Sequence, residues 1–260
     1  MTKLIINGDD FGMTDGICRA IRDLLNTGAL SSTSVMVAFP GATSRCKKWG
    51  VSSLRGVAGV HLQLTKGGPV LATNAAESLL DHHTDCFAEG IESLPPELVL
   101  QEWRAQIDLA AHLIGDRPSH LDSHCGVHHL PQFVDVYVAL AHEYGLPVRG
   151  GSELVQEQMK HSGVIGPDEV LFDWTGHNAG MTRLQEQLLV TANALGRHGT
   201  IEVVTHPAYC DEELMAVSSL NTARDGDRLA LEELARTNWL EQNSFLPIPY
   251  SMLRAEDSIG

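Results

Sequence analysis

Short apolar runs alternate along the chain with longer stretches in which apolar positions recur every three or four residues. KLIING (3–8) reads as a buried strand. The stretch after it sets Ile17, Ile21, Leu24 and Leu25 at helical spacing, with Gly28 where a C-cap belongs. STSVMVAF (32–39) reads as a second strand closed by Pro40-Gly41, and VAGVHLQL (57–64) as a third. Residues 96–115 form an amphipathic helix, SHLDSH (119–124) a fourth strand, and 132–145 the helix after it. LPVRGG (146–151) is a short fifth strand, and a sixth lies in EVLFDWTG (169–176). A helix over 182–199, a strand in TIEVVTHPAY (200–209), helix over 224–243 and a closing strand in SFLPIPY (244–250) complete the set. Repeated strand–helix alternation predicts an α/β fold, a parallel sheet with helices packed outside it.

The 260 residues show no internal repeat, low-complexity tract or linker, so one domain over 1–260 is expected, the length of a single α/β barrel. Residues 65–96 are the longest irregular stretch and read as a lid or substrate loop. Formal net charge is −15, which argues against nucleic acid or an anionic membrane as a partner, since both require clustered Lys and Arg. No run approaches the roughly 18 apolar residues of a membrane span, and no signal peptide precedes the first strand. The five cysteines are widely spaced and never form a C-x-x-C pair, which points to a reducing cytoplasm.

Polar, chemically active residues cluster at the strand ends. The first strand runs into Asp9-Asp10, the third carries His61, the fourth ends in HLDSHCGVHH (120–129), and VVTHPAY brings His206. In a parallel α/β barrel these carboxyl ends share one face, where active sites lie. Adjacent carboxylates raise each other's pKa unless a cation or donor intervenes. Two readings of Asp9-Asp10 therefore stand: a strand-to-helix turn capped by Thr14 or Asp15, or one acid holding a metal while the other serves as base. His61 alone also fits a packed strand histidine. Period-two alternation, however, puts His120, Asp122 and His124 on one face, which is costly in a buried strand without partners. Two histidines and one carboxylate suit a divalent ion with open positions. His124 continues the His120–Asp122 face, whereas His128 lies past Gly126, outside the strand. The remaining histidines, His82 and His83 among them, read as solvated, and TGHNAGM (175–181) as a loop rather than a phosphate cradle.

The motifs LIINGDDFGMTDGICRAI, SSTSVMV, GVHLQLT, SHLDSHCGVHHLP and VVTHPAY, in this order over nearly the whole chain, resemble the YdjC family of chitooligosaccharide-deacetylase-like carbohydrate deacetylases. The resemblance implies a distorted (β/α) TIM-like barrel, a homodimer, a divalent ion described as magnesium, and hydrolysis of an N-acetyl group from an amino sugar. Two imidazole ligands by themselves favour zinc or cobalt. Carried over by motif, Asp10, His61 and His124 are the metal ligands, Asp9 the general base and His206 the general acid or oxyanion partner. Arg149, with Asp122 and His128, falls on the substrate side. The chain departs from the family in having Gly8 where Ala is common, and Cys125-Gly126 where Gln or His is common. The rival readings are a metal-dependent hydrolase of another bond, such as a phosphoester, and a sugar-binding barrel without catalysis. A phosphate clamp is missing near the motifs. Four Trp and four Tyr make stacking platforms for a long polysaccharide sparse, favouring a small glycan or glycoconjugate.

Overall fold

Strand β1 (Thr2–Phe11) runs through the middle of a curled, all-parallel sheet in a computed structural model that describes residues 1–72, 74–80, 87, 90–176 and 180–253. The others are β2 (Ser32–Val35), β3 (Ala58–Leu62), β4 (Leu121–Ser123), β5 (Glu169–Leu171), β6 (Thr200–Thr205) and β7 (Phe245–Pro247). Their spatial order is β4-β3-β2-β1-β6-β5. β7 pairs with Thr2–Leu4, on the lower part of β1, and β2 pairs with β1 from Asn7 onward. Beyond β4, Val148 bridges to Leu121 and its amide donates to the Ile165 carbonyl at 2.9 Å; the Asp168 amide then donates to Thr200 at 2.9 Å. These bonds curl the sheet round toward closure as a distorted (β/α) barrel.

The helices are α1 (Asp15–Thr27), α2 (Ala42–Lys48), α3 (Pro96–Ile114), α4 (Pro131–Tyr144), α5 (Glu153–Ser162), α6 (Met181–Ala194), α7 (Glu212–Val217), α8 (Arg224–Ala235) and α9 (Trp239–Gln242). They cover the outside, so strands such as β6 are buried along their whole length. Thr14 caps α1 by accepting the Ile17 amide, and Gly28 ends it at φ 76°. On α3, Val99, Trp103, Ile107, Ala110 and Ile114 face the core.

Glu102 and Gln106 on the same helix are buried and tie down neighbouring chain. Glu102 accepts the Val70 and Leu71 amides at 2.9 Å each, and Gln106 exchanges two hydrogen bonds with the Gln63 backbone. The stretch from Thr65 to Pro96 is thus anchored at its start and buries Leu79 and Phe87. It holds short 3-10 turns at Asn74–Leu79 and Ile91–Ser93. His82, His83 and the middle of TGHNAGM (177–179) lie outside the described residues.

Some elements are shorter than their apolar pattern. Strand β2 stops at Val35, and Met36–Phe39 leave the sheet although Met36, Val37 and Ala38 stay buried, because burial and ladder pairing part company at the barrel mouth. Residues 146–151 contribute one bridge, at Val148, rather than a strand. Helices α2, α5 and α7 are too short to show a clear period; in α5 only Val155 and Met159 are buried.

Candidate active site

The two acids of DDFG sit in a bulge near the end of β1. The β1–β2 register runs from Gly8 opposite Thr33 to Phe11 opposite Val35, three steps against two, and Asp10 sits at φ 71°. A bulge re-aims side chains that alternation would send to opposite faces. Backbone strain of this kind in a non-glycine residue concentrates at functional positions.

Each acid meets its own arginine. Asp9 takes Arg149 Nη1 on Oδ2 and Nη2 on Oδ1, both at 2.8 Å, and the Asn7 side-chain Nδ2 on Oδ1 at 2.7 Å. Asp10 Oδ2 accepts from Arg224 Nη2 at 2.7 Å, while Oδ1 lies 3.3 Å from His61 Nε2 and 3.1 Å from His124 Nδ1. Burial works to raise both carboxyl pKa values. Arg149 and His61 together outweigh it at Asp9, and Arg224, His124 and His61 together outweigh it at Asp10, so both are held below the usual range. The repulsion expected of adjacent acids is thus relieved by two separate guanidinium groups.

Behind His61, Asp122 Oδ1 accepts from Nδ1 at 2.7 Å, which directs Nε2 toward Asp10. Asp122 therefore backs the histidine rather than lining open space. Arg149 Nη2 also reaches Asp122 at 3.0 Å, and its Nε and Nη2 reach Glu202 on β6 at 3.0 and 2.7 Å. The Tyr250 hydroxyl donates to the other Glu202 oxygen. His120 shares a side with Asp122 but stacks on the Tyr250 ring at 3.9 Å, away from His124.

Strand β4 ends at Ser123, and His124 opens a turn in which Cys125 (φ 54°) and Gly126 (φ 63°) are left-handed. That turn swings the His124 ring to Asp10. His128 points elsewhere: its Nδ1 meets Ser123 Oγ at 2.5 Å, and its ring stacks on Tyr137 at 4.5 Å.

Two groups among the described residues have metal-ligand spacing, with atoms inside 4.8 Å: Asp10, His61 and His124, and Asp9, His61 and Asp122. The second has the Arg149 guanidinium within 3.0 Å of both its acids, so a cation there meets a fixed positive charge. The first fits better. It has two imidazoles and one free carboxylate oxygen, with the spare nitrogen of His61 held by a carboxylate. Asp122 and Asp9 hold His61 well above its ordinary pKa against burial, and Asp10 pushes His124 up to about 9. A metal must therefore displace protons to bind.

A cavity of about 390 Å³ opens beside this cluster, walled by Asp9, His61, His128, Arg149, Phe172 and His206 among others. His206, at the end of β6, presents Nε2 3.8 Å from Asp9 Oδ2. Burial lowers its pKa, opposed by Asp9. Arg224, Glu202, Tyr250, Thr175 and Asp227 belong to the same network but did not stand out in the sequence. Glu202 alone left a signal, as a charge inside the apolar run TIEVVT.

The profile of the YdjC-like protein family matches residues 3–242. A carbohydrate deacetylase of Thermoanaerobacter pseudethanolicus is 30% identical over 98% of this chain and 100% of its own. A chitooligosaccharide deacetylase of Yersinia pestis is 30% identical over 82% and 84%. An Enterococcus faecalis protein described as a cellobiose-phosphate cleavage protein superposes with a TM-score of 0.83 at 28% identity, covering 96% of this chain and 97% of that one. Fold, motif order and sequence similarity thus coincide over almost the whole length, and the chain belongs to the YdjC-like family.

Proposed function

We propose that the protein is a metal-dependent carbohydrate N-deacetylase that hydrolyses the acetamide of an amino sugar or small glycan and releases acetate. The observation that carries this reading is the convergence of Asp10 Oδ1, His61 Nε2 and His124 Nδ1 beside an arginine-held Asp9 and a cavity-facing His206. The deacetylase names of the relatives support the bond type.

A divalent ion held by Asp10, His61 and His124 would supply Lewis-acid activation of water and of the acetyl carbonyl. Magnesium is the family expectation, while the imidazoles favour zinc or cobalt. Asp9, held ionised and in a fixed plane by Arg149, accepts the proton of the attacking water. His206 Nε2 delivers a proton to the departing sugar nitrogen. Asp122 and Glu202 hold His61 and Arg149 in place, and His128 and Phe172 shape the wall that the sugar meets. The proposal includes a single domain, a cytoplasmic homodimer and a lid role for residues 65–96. The described cysteines are free, which suits a reducing compartment, and no described helix is long and apolar enough to cross a membrane.

Phosphoester hydrolysis is the weaker reading. Arg149, the one Arg or Lys on the described cavity wall, is already gripped by three carboxylates and leaves no clamp for a phosphate. An acetate-release assay across N-acetylated mono- and disaccharides tests the proposal. Release from at least one, abolished by chelation and restored by a divalent ion, is the expected result. Substrate binding without acetate release would instead indicate a binding barrel.

A further inference from the structure

Behind His206 lies a small hydrogen-bonded assembly that neither the motifs nor the metal cluster accounts for. Asp227, fully buried on α8, accepts the His206 amide on Oδ2 at 2.8 Å and the Gly176 amide on Oδ1 at 2.7 Å. The Thr175 hydroxyl donates to Asp227 Oδ2, and the same oxygen, Thr175 Oγ1, lies 3.1 Å from His206 Nδ1. Thr175 follows the buried Trp174, whose indole donates to the Gly180 carbonyl, so the loop carrying it is pinned on both sides of the hydroxyl.

A hydroxyl has one proton to donate and lone pairs to accept with. With its proton committed to the Asp227 carboxylate, Thr175 Oγ1 can only accept from the imidazole. That requires a hydrogen on Nδ1. In the neutral ring, Nε2 then carries the lone pair, and Nε2 is the atom that faces the cavity, 3.8 Å from Asp9 Oδ2.

We propose that Thr175 and Asp227 are positioning residues that fix His206 as the Nδ1–H tautomer, so that this histidine enters the reaction as a proton acceptor at Nε2 and only afterwards acts as the acid. This rests on the deacetylase reading and deepens it by supplying the acid's proton. The attacking water breaks one O–H bond as its oxygen bonds the acetyl carbon and the carbonyl π pair moves onto the carbonyl oxygen, and that proton passes by way of Asp9 Oδ2 to Nε2. The carbonyl then re-forms as the C–N bond breaks with its electron pair going to nitrogen, and Nε2–H gives the proton to that nitrogen. The sugar amine leaves neutral and no proton need be drawn from bulk solvent. The Nδ1–H···Thr175···Asp227 chain steadies the imidazolium that forms between the two transfers.

Full-length protein labelled with ¹⁵N-histidine tests this at pH 8, with the His206 ring signals assigned by comparison with His206→Gln. The expected wild-type pattern is Nδ1 protonated and Nε2 bare. Thr175→Val, close to isosteric, should lose that preference and lower kcat on the N-acetyl sugar roughly 10- to 100-fold, with KM within about twofold, as for loss of a group that orients a catalytic side chain. Thr175→Ser should restore both. A wild-type His206 protonated on Nε2 overturns the assignment, as does a Thr175→Val protein that keeps the Nδ1–H pattern and full kcat. The ring pattern is read without substrate. Wild-type protein with the expected tautomer but no acetate release therefore counts against the deacetylase reading and leaves the tautomer assignment supported.

Discussion

Arg149 grips both carboxylate oxygens of Asp9 at 2.8 Å while the same Nη2 lies 3.0 Å from Asp122 and, with Nε, donates to Glu202. One fully charged guanidinium, with His61 beside it, thus offsets a group of acids drawn from β1, β4 and β6 at the heart of the barrel. The planar fork of arginine suits this arrangement and a lysine does not, because only the fork can bind one carboxylate through two parallel bonds.

Removing that cation should be costly. Arg149→Met would leave Asp9, Asp122 and Glu202 buried together with only His61 to offset them, and breaking a buried pair from one side typically loses about 3–5 kcal/mol. Urea denaturation of wild type and variant measures it. A loss below about 1 kcal/mol would mean that the three acids do not depend on Arg149 for their burial.

The two acids of the DD pair should fail in different ways. Asp10→Asn removes the charged oxygen between His61 and His124 and should empty the metal site. Asp9→Asn should keep metal and substrate binding while turnover falls roughly 10²–10⁴-fold, the range for loss of a general base. Elemental analysis of dialysed protein and steady-state kinetics separate the two. An Asp9→Asn protein without metal, or an Asp10→Asn protein with full occupancy, would reverse the roles.

His124 and His128 offer a sharper contrast, since both lie in one short segment. The left-handed Cys125 and Gly126 turn the chain so that His124 meets Asp10 while His128 stacks on Tyr137. His124→Ala should lower metal affinity steeply, as calorimetric titration of the metal-free protein would show, and His128→Ala should leave it within severalfold. The opposite ranking would place the ligand on His128.

Much of this cluster is legible in sequence because polar residues at the ends of apolar strands are conspicuous. Asp9, Asp10, His61, His124 and His206 each interrupt a run that should be wholly buried. Arg224, Thr175 and Asp227 carry no such mark. They sit in polar stretches where charge and hydroxyl groups are ordinary, and their meaning comes only when α8 and the loop after β5 pack over the barrel mouth; Arg224 is 214 residues from Asp10 in the chain. Glu202 is anomalous in sequence, but its partners Arg149 and Tyr250 arrive from distant segments. The fold divides similarly. Long helices such as α1, α3 and α4 declare themselves by period. Met36–Phe39 are apolar enough for a strand yet leave the ladder, since burial does not require a pairing edge.

Acid sensitivity should include a term from His128. Burial, with the charges of His129 and Arg149, holds its pKa well below the ordinary 6.5. Below pH 6.5 the unfolded chain takes up a proton there and the folded protein does not. The unfolded state then binds more protons, so stability rises with pH and is lost as pH falls from about 6.5 toward the folded pKa. Each pH unit in that window is worth about 1.4 kcal/mol for one such group. Denaturation midpoints of wild type and His128→Gln, compared from pH 7 to 5, isolate it together with its coupling to His129, because groups not in contact with His128 cancel in the difference. The variant should lose less stability on acidification, and parallel curves would mean that His128 is protonated in the fold.

The role of His206 can be read from the leaving group. Its Nε2 faces the cavity beside Asp9, and Pro207 behind it fixes the strand end. A sugar amine departs poorly unless it is protonated, whereas a phenolate departs unaided. If His206 protonates the leaving nitrogen, His206→Ala should cut N-acetyl sugar hydrolysis by roughly 10²–10⁴-fold, the range for general-acid catalysis. Hydrolysis of an activated aryl acetate should suffer far less. Both rates can be measured on one metal-loaded preparation, so a shared loss through metal or folding shows as equal damage. Equal damage with metal content and stability unchanged would assign His206 to a step common to both substrates, uptake of the water proton or stabilisation of the oxyanion, and would remove it as the leaving-group acid.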